Sequence, residues 1–376
     1  MKIVIALDSF KGVLDAESAC RAVAKGLHDV LPAIKTVLKP MADGGEGTVR
    51  AILAARSDGK WIPAQVSGPL PRKKVKAGYA WFEADKTALV EMAAANGLPL
   101  LKESERNPLK TSTYGTGELI AMAIKRGAKR IFLAIGGSAT IDGGVGAATA
   151  LGWKFLDVRN RVVPLDGGHL QSIAKIIPPK NKTFPPVTIL CDVTNPLCGT
   201  QGAAAVFGPQ KGATPAMVKQ LEAGLFHLAK LVQKHLGCNI LSMAGGGAAG
   251  GLGAGGYAFL NAKLESGIQT VMKISKLREV LIGADWCITG EGSFDNQSFG
   301  GKVISGVTSL AKEVGVPVVV FAGLIRVSRR IYRTKGIYEA LATHAPDMPM
   351  NEVIANEPEH LRKTAACWLQ KIISKK

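Results

Sequence analysis

The feature that most constrains the fold is a recurring order of apolar strand, acidic or glycine-rich turn, and amphipathic helix. The chain opens with the apolar run 3–7, turns through DSFKG, and continues with apolar residues at helical spacing from Ala16 to Leu31. A second apolar run at 37–41 leads into ADGGEGT, and residues 49–55 again show a helical pattern. Strands that alternate with helices are typical of parallel sheets, so the sequence predicts an α/β fold.

The same order returns near the C-terminus. A strand at 285–290 runs into EGSFDNQSFGGK, a helix reaches about residue 314, a strand covers 316–323, and a last helix is expected at 358–373. The middle of the chain differs: strands are predicted at 88–92, 130–135 and 187–191, helices at 118–125 and 215–235, and longer glycine-rich loops between them. Because 376 residues exceed one ordinary core, we predict one domain from residues 1–61 and 285–376 and an inserted α/β domain from residues 62–284.

Composition and charge narrow the function classes. Hydrophobic residues make up 47% and charged residues 20% of the chain, which is typical of a globular protein with a large interior. The sequence shows no signal peptide and no apolar run of about 18 residues, so we expect a cytoplasmic protein with no membrane partner. The net charge of +18 leaves open a basic polyanion- or nucleic-acid-binding protein without catalysis. The basic residues are dispersed, however, and no nucleic-acid partner is expected.

Glycine-rich segments are the candidates for phosphate binding. GGSATIDGG at 136–144 follows an apolar strand, and GGGAAGGLGAGG at 245–256 lacks bulky side chains, although tight packing of two elements explains the second segment as well. Lys211 lies between two glycines and is either a phosphate-binding point charge or a solvated surface residue. The chain contains no GxxxxGKS or GxxxxGKT motif, which disfavours the P-loop class. The candidate residues are Gly136, Gly137, Ser138, Thr140, Lys211, Gly247, Gly250 and Gly251.

Carboxylates follow several predicted strands or lie in the adjoining glycine loops. A phosphoryl-transfer site needs one carboxylate to hold Mg²⁺ and another to orient or deprotonate the acceptor hydroxyl. Each acid alone could instead cap a helix or form an Asx turn. Six such placements together favour a metal and phosphate site. These acids are Asp8, Asp43, Glu46, Asp192, Glu291 and Asp295.

Eight motifs in collinear order resemble those of the bacterial, ATP-dependent glycerate kinase family of type 1. They are DSFKG (8–12), MADGGEGT (41–48), TGELI (116–120), the 136–146 segment, CDVTNPL (191–197), FGPQKGA (207–213), GAAGGLGA (247–254) and the 289–302 segment that begins TGEG. The resemblance extends from residue 1 to the last helix. It implies a flavodoxin-like or Rossmann-like parallel-sheet domain formed by both chain ends, with a second α/β domain inserted.

The resemblance also implies an activity. A glycerate kinase uses ATP and Mg²⁺ to phosphorylate D-glycerate, a small-molecule substrate, to 2-phosphoglycerate or, in some members, 3-phosphoglycerate. A homodimer is a possible assembly. Under this hypothesis the catalytic residues are Asp8, Lys11, Asp192 and Asp295, with Asp295 as a candidate base, and the metal-binding residues are Asp43, Glu46, Asp192 and Glu291.

Three positions depart from the usual pattern of that family. Ile141 stands where Asn commonly precedes Asp142, and both Tyr114 and Ser293 stand where Arg is usual. Arginine binds a carboxylate or phosphate through two parallel hydrogen bonds, which serine and tyrosine cannot reproduce. A second hypothesis is therefore a kinase for a related hydroxy acid with altered acid specificity.

Overall fold

The computed structural model describes residues 1–180 and 183–374. Contacts divide the chain into two units. Unit 1 comprises Met1–Asp43, Arg50–Ser57 and Ile268–Lys376, and unit 2 comprises Gly44–Val49 and Asp58–Gly267. The two-domain organisation stays a prediction.

The strands and helices alternate along most of the chain. The strands are β1 (Lys2–Leu7), β2 (Lys35–Leu38), β3 (Gly59–Ser67), β4 (Lys74–Phe82), β5 (Thr87–Glu91), β6 (Arg130–Ala134), β7 (Lys154–Leu156), β8 (Lys175–Ile177), β9 (Val187–Leu190), β10 (Lys263–Glu265), β11 (Trp286–Phe294), β12 (Val318–Ile325) and β13 (Ile337–Ala342). The α-helices are α1 (Ala16–Val30), α2 (Thr48–Ala55), α3 (Met92–Asn96), α4 (Tyr114–Lys125), α5 (Val145–Ala150), α6 (Ala203–Phe207), α7 (Pro215–Leu236), α8 (Ala248–Leu260), α9 (Gly267–Ile274), α10 (Leu277–Leu281), α11 (Val303–Glu313), α12 (Arg329–Thr334) and α13 (Met350–Ile373).

Unit 1 is built on a five-stranded parallel sheet in the order β13-β12-β11-β1-β2. The central strand β1 is apolar from Ile3 to Leu7 and fully buried, as expected of a parallel strand covered on both faces. Helices α1 and α13 pack closely. A Cβ built at Gly26 of α1 would lie only 2.0 Å from the carbonyl oxygen of Arg362 in α13. Both chain ends therefore contribute to one parallel sheet, as the sequence predicts.

The structure differs from two predicted boundaries in unit 1. The last helix begins at Met350 rather than at residue 358, because Val353, Glu357 and Leu361 keep one buried face across Pro358. Residues 268–284 belong with unit 1 rather than with the inserted segment. The reason is packing of α9 on α11, where a Cβ at Gly306 would lie 2.7 Å from the Ile268 side chain.

Unit 2 contains a six-stranded mixed sheet in the order β10-β9-β6-β5-β4-β3. Strands β3, β4 and β5 pair antiparallel, whereas β5, β6, β9 and β10 pair parallel. The predicted strands at 88–92, 130–135 and 187–191 correspond to β5, β6 and β9, and the β3–β4 hairpin was not predicted. The short strands β7 and β8 form a separate antiparallel pair.

The prediction of a loop across 245–256 was wrong for most of that segment. Helix α8 starts at Ala248, and Ala249, Gly250 and Gly251 have left-handed φ values of 52°, 68° and 94° before the helix continues.

Within residues 1–180 and 183–374, no helix is both long enough and apolar enough to cross a membrane.

Candidate functional site

An acid cluster lies at the carboxyl ends of the central strands of unit 1. Asp8 follows β1, and its backbone N–H donates to the Gly290 carbonyl of β11 at 2.9 Å, so Asp8 lies beside Glu291. Asp43 reaches the same end of the sheet because Met41 N–H donates to the Leu7 carbonyl at 2.8 Å. In open parallel sheets this is the edge at which ligands bind.

Asp8 is the most strongly perturbed acid of this cluster. Its side chain is almost fully buried, at 5% exposure. Burial and, to a smaller extent, the carboxylates of Asp43 and Glu291 raise its pKa to about 7, although the Ser9 N–H and the Lys11 ammonium oppose the rise. Both protonation states of Asp8 are therefore populated near neutral pH, which is the condition that favours a general base.

The neighbours of Asp8 include acids and an exposed cation. The Lys11 ammonium lies 3.8 Å from an Asp43 oxygen, and most of the Lys11 side chain is exposed. Burial raises the pKa of Glu291, and its Oε1 atom is buried with no hydrogen-bond partner in the described part of the chain. A buried carboxylate oxygen without a donor is costly unless a bound group supplies positive charge.

Asp295 has a local structural role at the end of β11. Its Oδ1 atom accepts the Gln297 N–H at 2.8 Å, and its own N–H donates to Ser298 Oγ at 3.2 Å. Asp295 thus caps the turn 296–299, which is one of the alternatives that the sequence left open. Its assignment as the base stays a prediction.

In unit 2, a buried lysine supports the loop that follows β6. Lys211 is 2% exposed, and its ammonium donates to Ser138 Oγ at 2.7 Å and to the Thr140 carbonyl at 2.8 Å. Burial lowers the Lys211 pKa to about 7, and the Asp142 carboxylate opposes that shift. The ammonium therefore holds the 136–142 loop from inside the protein, so Lys211 is not a solvated surface residue, and its role in phosphate binding stays a prediction.

Asp142 fixes the other end of the same loop. It is fully buried and accepts hydrogen bonds from Thr113 N–H and Thr113 Oγ, both at 2.8 Å, and from the N–H groups of Gly144 and Gly146. These donors join the 136–142 loop to the starts of α4 and α5. Ile141 is buried in the apolar core beside it.

The loop that carries Glu46 packs against the 136–142 loop within unit 2. Gly136 N–H donates to the Gly44 carbonyl at 3.2 Å, and a Cβ at Gly136 would lie only 2.5 Å from Gly45 Cα. Gly137 and Glu46 are exposed at this contact. An anion can therefore approach the backbone N–H groups here without obstruction from side chains.

Glu91 holds this glycine loop in place, and the sequence reasoning missed it. Its two carboxylate oxygens accept the Gly47 N–H at 3.0 Å and the Val49 N–H at 3.1 Å, at the start of α2. Burial raises the Glu91 pKa, and these two hydrogen bonds oppose the rise. The available signal was TALVE, an acid directly after an apolar strand, which is the pattern that singled out the other six acids.

Asp192 follows β9, at the carboxyl end of the sheet of unit 2. Its Oδ1 atom accepts hydrogen bonds from Ser266 Oγ at 2.8 Å and from Gly267 N–H at 2.9 Å. The residue is exposed, so it remains accessible to a ligand. Its catalytic and metal-binding assignments stay predictions.

The 245–256 segment is in tight contact with neighbouring backbone. A Cβ would lie 1.9 Å from the Thr140 carbonyl oxygen at Gly250, 2.8 Å from Gly143 Cα at Gly251, and 2.2 Å from the Pro196 carbonyl oxygen at Gly247. Close packing, the alternative that the sequence left open, therefore accounts for all three glycines. Anion binding by this segment stays a prediction.

Each unit thus brings together part of the predicted set. Unit 1 groups Asp8, Lys11, Asp43, Glu291 and Asp295, and unit 2 holds the 136–142 loop, Glu46, Lys211 and Asp192. Across residues 1–180 and 183–374, no three or more His, Cys, Asp or Glu side chains lie close enough to hold a metal ion by themselves. Mg²⁺ commonly uses only one or two carboxylates together with waters and substrate phosphates, and the carboxylates of unit 1 fit that chemistry.

Comparisons with known proteins agree with the motifs. The model of the glycerate kinase family matches residues 3–372. A glycerate kinase from Halalkalibacterium halodurans is 42% identical over 96% of both chains, and a glycerate 2-kinase from Escherichia coli is 45% identical over 86% of this chain and 85% of its own. A crystal structure described as glycerate kinase 2 from Salmonella typhimurium matches with a TM-score of 0.87 and 38% identity, covering 100% of this chain and 99% of that one. The chain belongs to the glycerate kinase family.

Proposed function

We propose that this protein transfers the γ-phosphoryl group of ATP to the 2-hydroxyl group of D-glycerate, giving 2-phosphoglycerate and ADP. Membership of a kinase family implies the use of ATP and of a small-molecule acceptor. The choice of the 2-hydroxyl is supported by the relative named glycerate 2-kinase. The observation that carries the proposal is the acid cluster of unit 1, in which burial raises the pKa of Asp8 to about 7.

In this proposal Asp8 is the general base. Its carboxylate takes the proton of the acceptor hydroxyl as that oxygen bonds to the γ-phosphorus, and the bond from phosphorus to the oxygen of ADP breaks. Lys11, which is exposed and close to Asp43, binds the carboxylate of the acceptor or a phosphate oxygen. Asp295 is the competing candidate for the base, although its Oδ1 atom already accepts a hydrogen bond.

Mg²⁺ would supply charge neutralisation of the phosphate oxygens. Asp43 and Glu291 would hold it, and the buried Oε1 atom of Glu291 without a donor fits a cation ligand. Glu46 and Asp192 are the further candidates from unit 2. Removal of Mg²⁺ by excess chelator is expected to abolish turnover. Activity that persists at saturating chelator would contradict a metal requirement.

The glycine-rich loops of unit 2 are proposed to bind phosphate. The exposed backbone at Gly137 and the neighbouring Gly136 and Ser138 present N–H and hydroxyl donors, while Lys211 positions the loop from beneath. A glycine-rich loop can bind anions through its backbone N–H dipoles. Because Ser293 and Tyr114 stand at positions where the resemblance implies arginine, a related hydroxy acid is the alternative acceptor.

An assay of ADP release tests the function. Purified protein with ATP and Mg²⁺ is supplied with D-glycerate, L-glycerate, glycolate, lactate or no acceptor. We expect D-glycerate to give the highest kcat/KM, and phosphorus–proton NMR of the product to show phosphorus coupled to a single methine proton. Coupling to two methylene protons would identify 3-phosphoglycerate, and a rate with every acceptor equal to the background without acceptor would remove the proposed activity.

A homodimer, a cytoplasmic location and two separately folding domains complete the proposal. Sedimentation velocity at micromolar protein concentration distinguishes a dimer from a monomer of 39.4 kDa. These three expectations are independent of the chemistry, and the failure of any of them leaves the kinase proposal unchanged.

A further inference from the structure

A cavity of about 350 Å³ lies in unit 1 between β13 and α13. One wall is the end of β13, with Leu341, Ala342 and Thr343, and the other is one face of α13. The lining residues of α13 recur every three to four positions, which is the spacing of a single helix face. They are His360, Lys363, Thr364, Cys367, Trp368 and Lys371. None of the acids of the candidate active site lines this cavity. Its volume falls in the range that small-molecule sites occupy.

The chemistry of the lining favours an anion with an apolar body. The wall is mainly apolar and includes Leu341 and the ring of Trp368, while Lys363 and Lys371 contribute two cations and no acid lines the cavity. Lys371 is paired with Glu339 at 2.7 Å. Lys363 makes no ion pair with any residue that the structure describes, so its charge is available to a ligand.

Two polar groups of the lining residues lack partners. Trp368 is 2% exposed and its Nε1–H donor is buried without an acceptor, and the Nδ1 atom of His360 is buried without a hydrogen-bond partner, both judged over the described residues. A buried donor without an acceptor costs about 1–3 kcal/mol.

The polar floor of the cavity continues into a buried acid. Glu357 is fully buried, its Oε1 accepts the Thr343 hydroxyl at 2.5 Å, and its Oε2 lies 3.6 Å from His360 Nδ1 and 3.8 Å from His344 Nε2. Because His344 Nδ1 lies 3.0 Å from the Ala345 carbonyl, that nitrogen carries a proton. Glu357 thus lies behind the cavity wall, close to both imidazoles, and it fixes the orientation of the Thr343 side chain.

The apolar wall is held rigid by aromatic packing. The ring of Trp368 packs edge-on against Trp286 of β11 at 5.4 Å and against Phe321 of β12 at 6.2 Å, and Trp286 packs against Tyr338 of β13 at 5.0 Å. These contacts tie α13 to three neighbouring strands. The cavity is therefore preformed, which lowers the entropic cost of binding.

We propose that this cavity is a binding site for a small organic anion with an apolar body, of the class of aromatic carboxylates and sulfonates. The apolar part lies along Leu341 and Trp368, and the anionic group pairs with Lys363. The acids of the candidate active site do not line it, and it does not depend on the proposed kinase activity.

The test uses the full-length protein and 8-anilinonaphthalene-1-sulfonate as the probe. We expect one saturable site by fluorescence and calorimetry, with affinity at least tenfold lower in Lys363→Glu and unchanged in the control Lys219→Glu, whose lysine is exposed on α7. The uncharged analogue N-phenyl-1-naphthylamine should bind at least tenfold more weakly than the sulfonate. Cys367→Trp, which fills the cavity from an exposed position, should abolish binding.

Thiol labelling locates the bound probe. Cys367 alone is exposed among the six cysteines, all of which lie in the described ranges. The fast-reacting thiol, assigned by its loss in Cys367→Ser, should be protected from Ellman's reagent in proportion to probe occupancy. Four results would each overturn the proposal: no measurable binding of the probe, equal probe affinity in the two lysine variants, equal affinity for the uncharged analogue, or protection of Cys367 that depends on protein concentration instead of probe concentration. The last result would indicate self-association through this face.

Discussion

Asp8 and Lys211 are two buried ionisable residues whose pKa values burial moves toward neutrality from opposite sides. The pKa of Asp8 rises to about 7 and that of Lys211 falls to about 7. The sequence identified both as candidates, because one follows a strand and the other lies between glycines. It could not show that Asp8 is surrounded by other acids or that Lys211 points into the protein, since both facts depend on contacts between distant segments.

Lys211 should leave a pH-dependent signature in stability. Its folded pKa lies below the unfolded value of 10.5, so the unfolded state binds more protons between about pH 7 and pH 10.5 and stability rises with pH in that window, by up to about 1.4 kcal/mol per pH unit. Lys211→Met removes this slope. Melting temperatures from pH 7 to 10 should therefore rise more for the wild type than for Lys211→Met.

The control for this experiment is Lys219→Met, because Lys219 is exposed. Its pH dependence should match that of the wild type. Identical slopes in wild type and Lys211→Met would show that Lys211 stays charged in the folded protein, paired with Asp142, and would contradict the lowered pKa.

At the scale of elements, Glu91 determines the conformation of the glycine loop before α2. The strand β5 was predicted, but its terminal acid was not recognised as a loop ligand. Glu91→Gln replaces one acceptor by an amide donor that faces an N–H group, which costs about 1–3 kcal/mol. Hydrogen exchange of peptides covering residues 44–55 should become about tenfold faster or more.

Glu118→Gln is the matched control for Glu91→Gln, since Glu118 also accepts a backbone N–H, from Ser67 at 2.6 Å, but at another place in unit 2. It should leave exchange of residues 44–55 unchanged. Equal exchange in wild type and Glu91→Gln would mean that the two hydrogen bonds of Glu91 do not hold the loop.

Helix α8 shows how packing overrides local pattern. Its glycines indicate a loop, yet close contact with residues 140–143 forces left-handed backbone at Ala249 and its neighbours and a helix after them. Gly250→Ala should destabilise the protein by about 2 kcal/mol or more beyond Gly127→Ala. Both positions have positive φ, but a Cβ at Gly127 has nothing within 4 Å. Equal melting temperatures for the two variants would contradict the packing account.

At the scale of the whole molecule, the sequence predicted the parallel sheet formed by both chain ends because its strands are continuous apolar runs. It did not predict the β3–β4 hairpin, because lysine, glutamine and proline interrupt the apolar pattern there. It also did not predict that residues 268–284 belong to unit 1. Both misses concern segments whose burial is decided by partners distant in sequence. The acid cluster was predictable as a set of strand-end residues, whereas its electrostatics required the fold.

We propose that the acid cluster serves catalysis at the expense of stability. Asp8, with a folded pKa of about 7 against 3.8, contributes stability that is complete below about pH 3.8 and is lost as pH rises through about 7. Asp8→Asn cannot ionise, so it should be more stable than the wild type at pH 8, by an amount on the order of a few kcal/mol, and nearly equal to it at pH 4. If Asp8 is the base, the same variant should lose about 10²–10⁴-fold in kcat/KM for glycerate.

The most direct measurement is therefore the melting temperature at pH 4 and pH 8 together with kcat/KM for Asp8→Asn, with Asp347→Asn, an exposed acid of unit 1, as the control. The account predicts a variant that is more stable at pH 8 and nearly inactive, beside a control that changes in neither property. A variant of Asp8 that is less stable at pH 8 and keeps wild-type kcat/KM would contradict it.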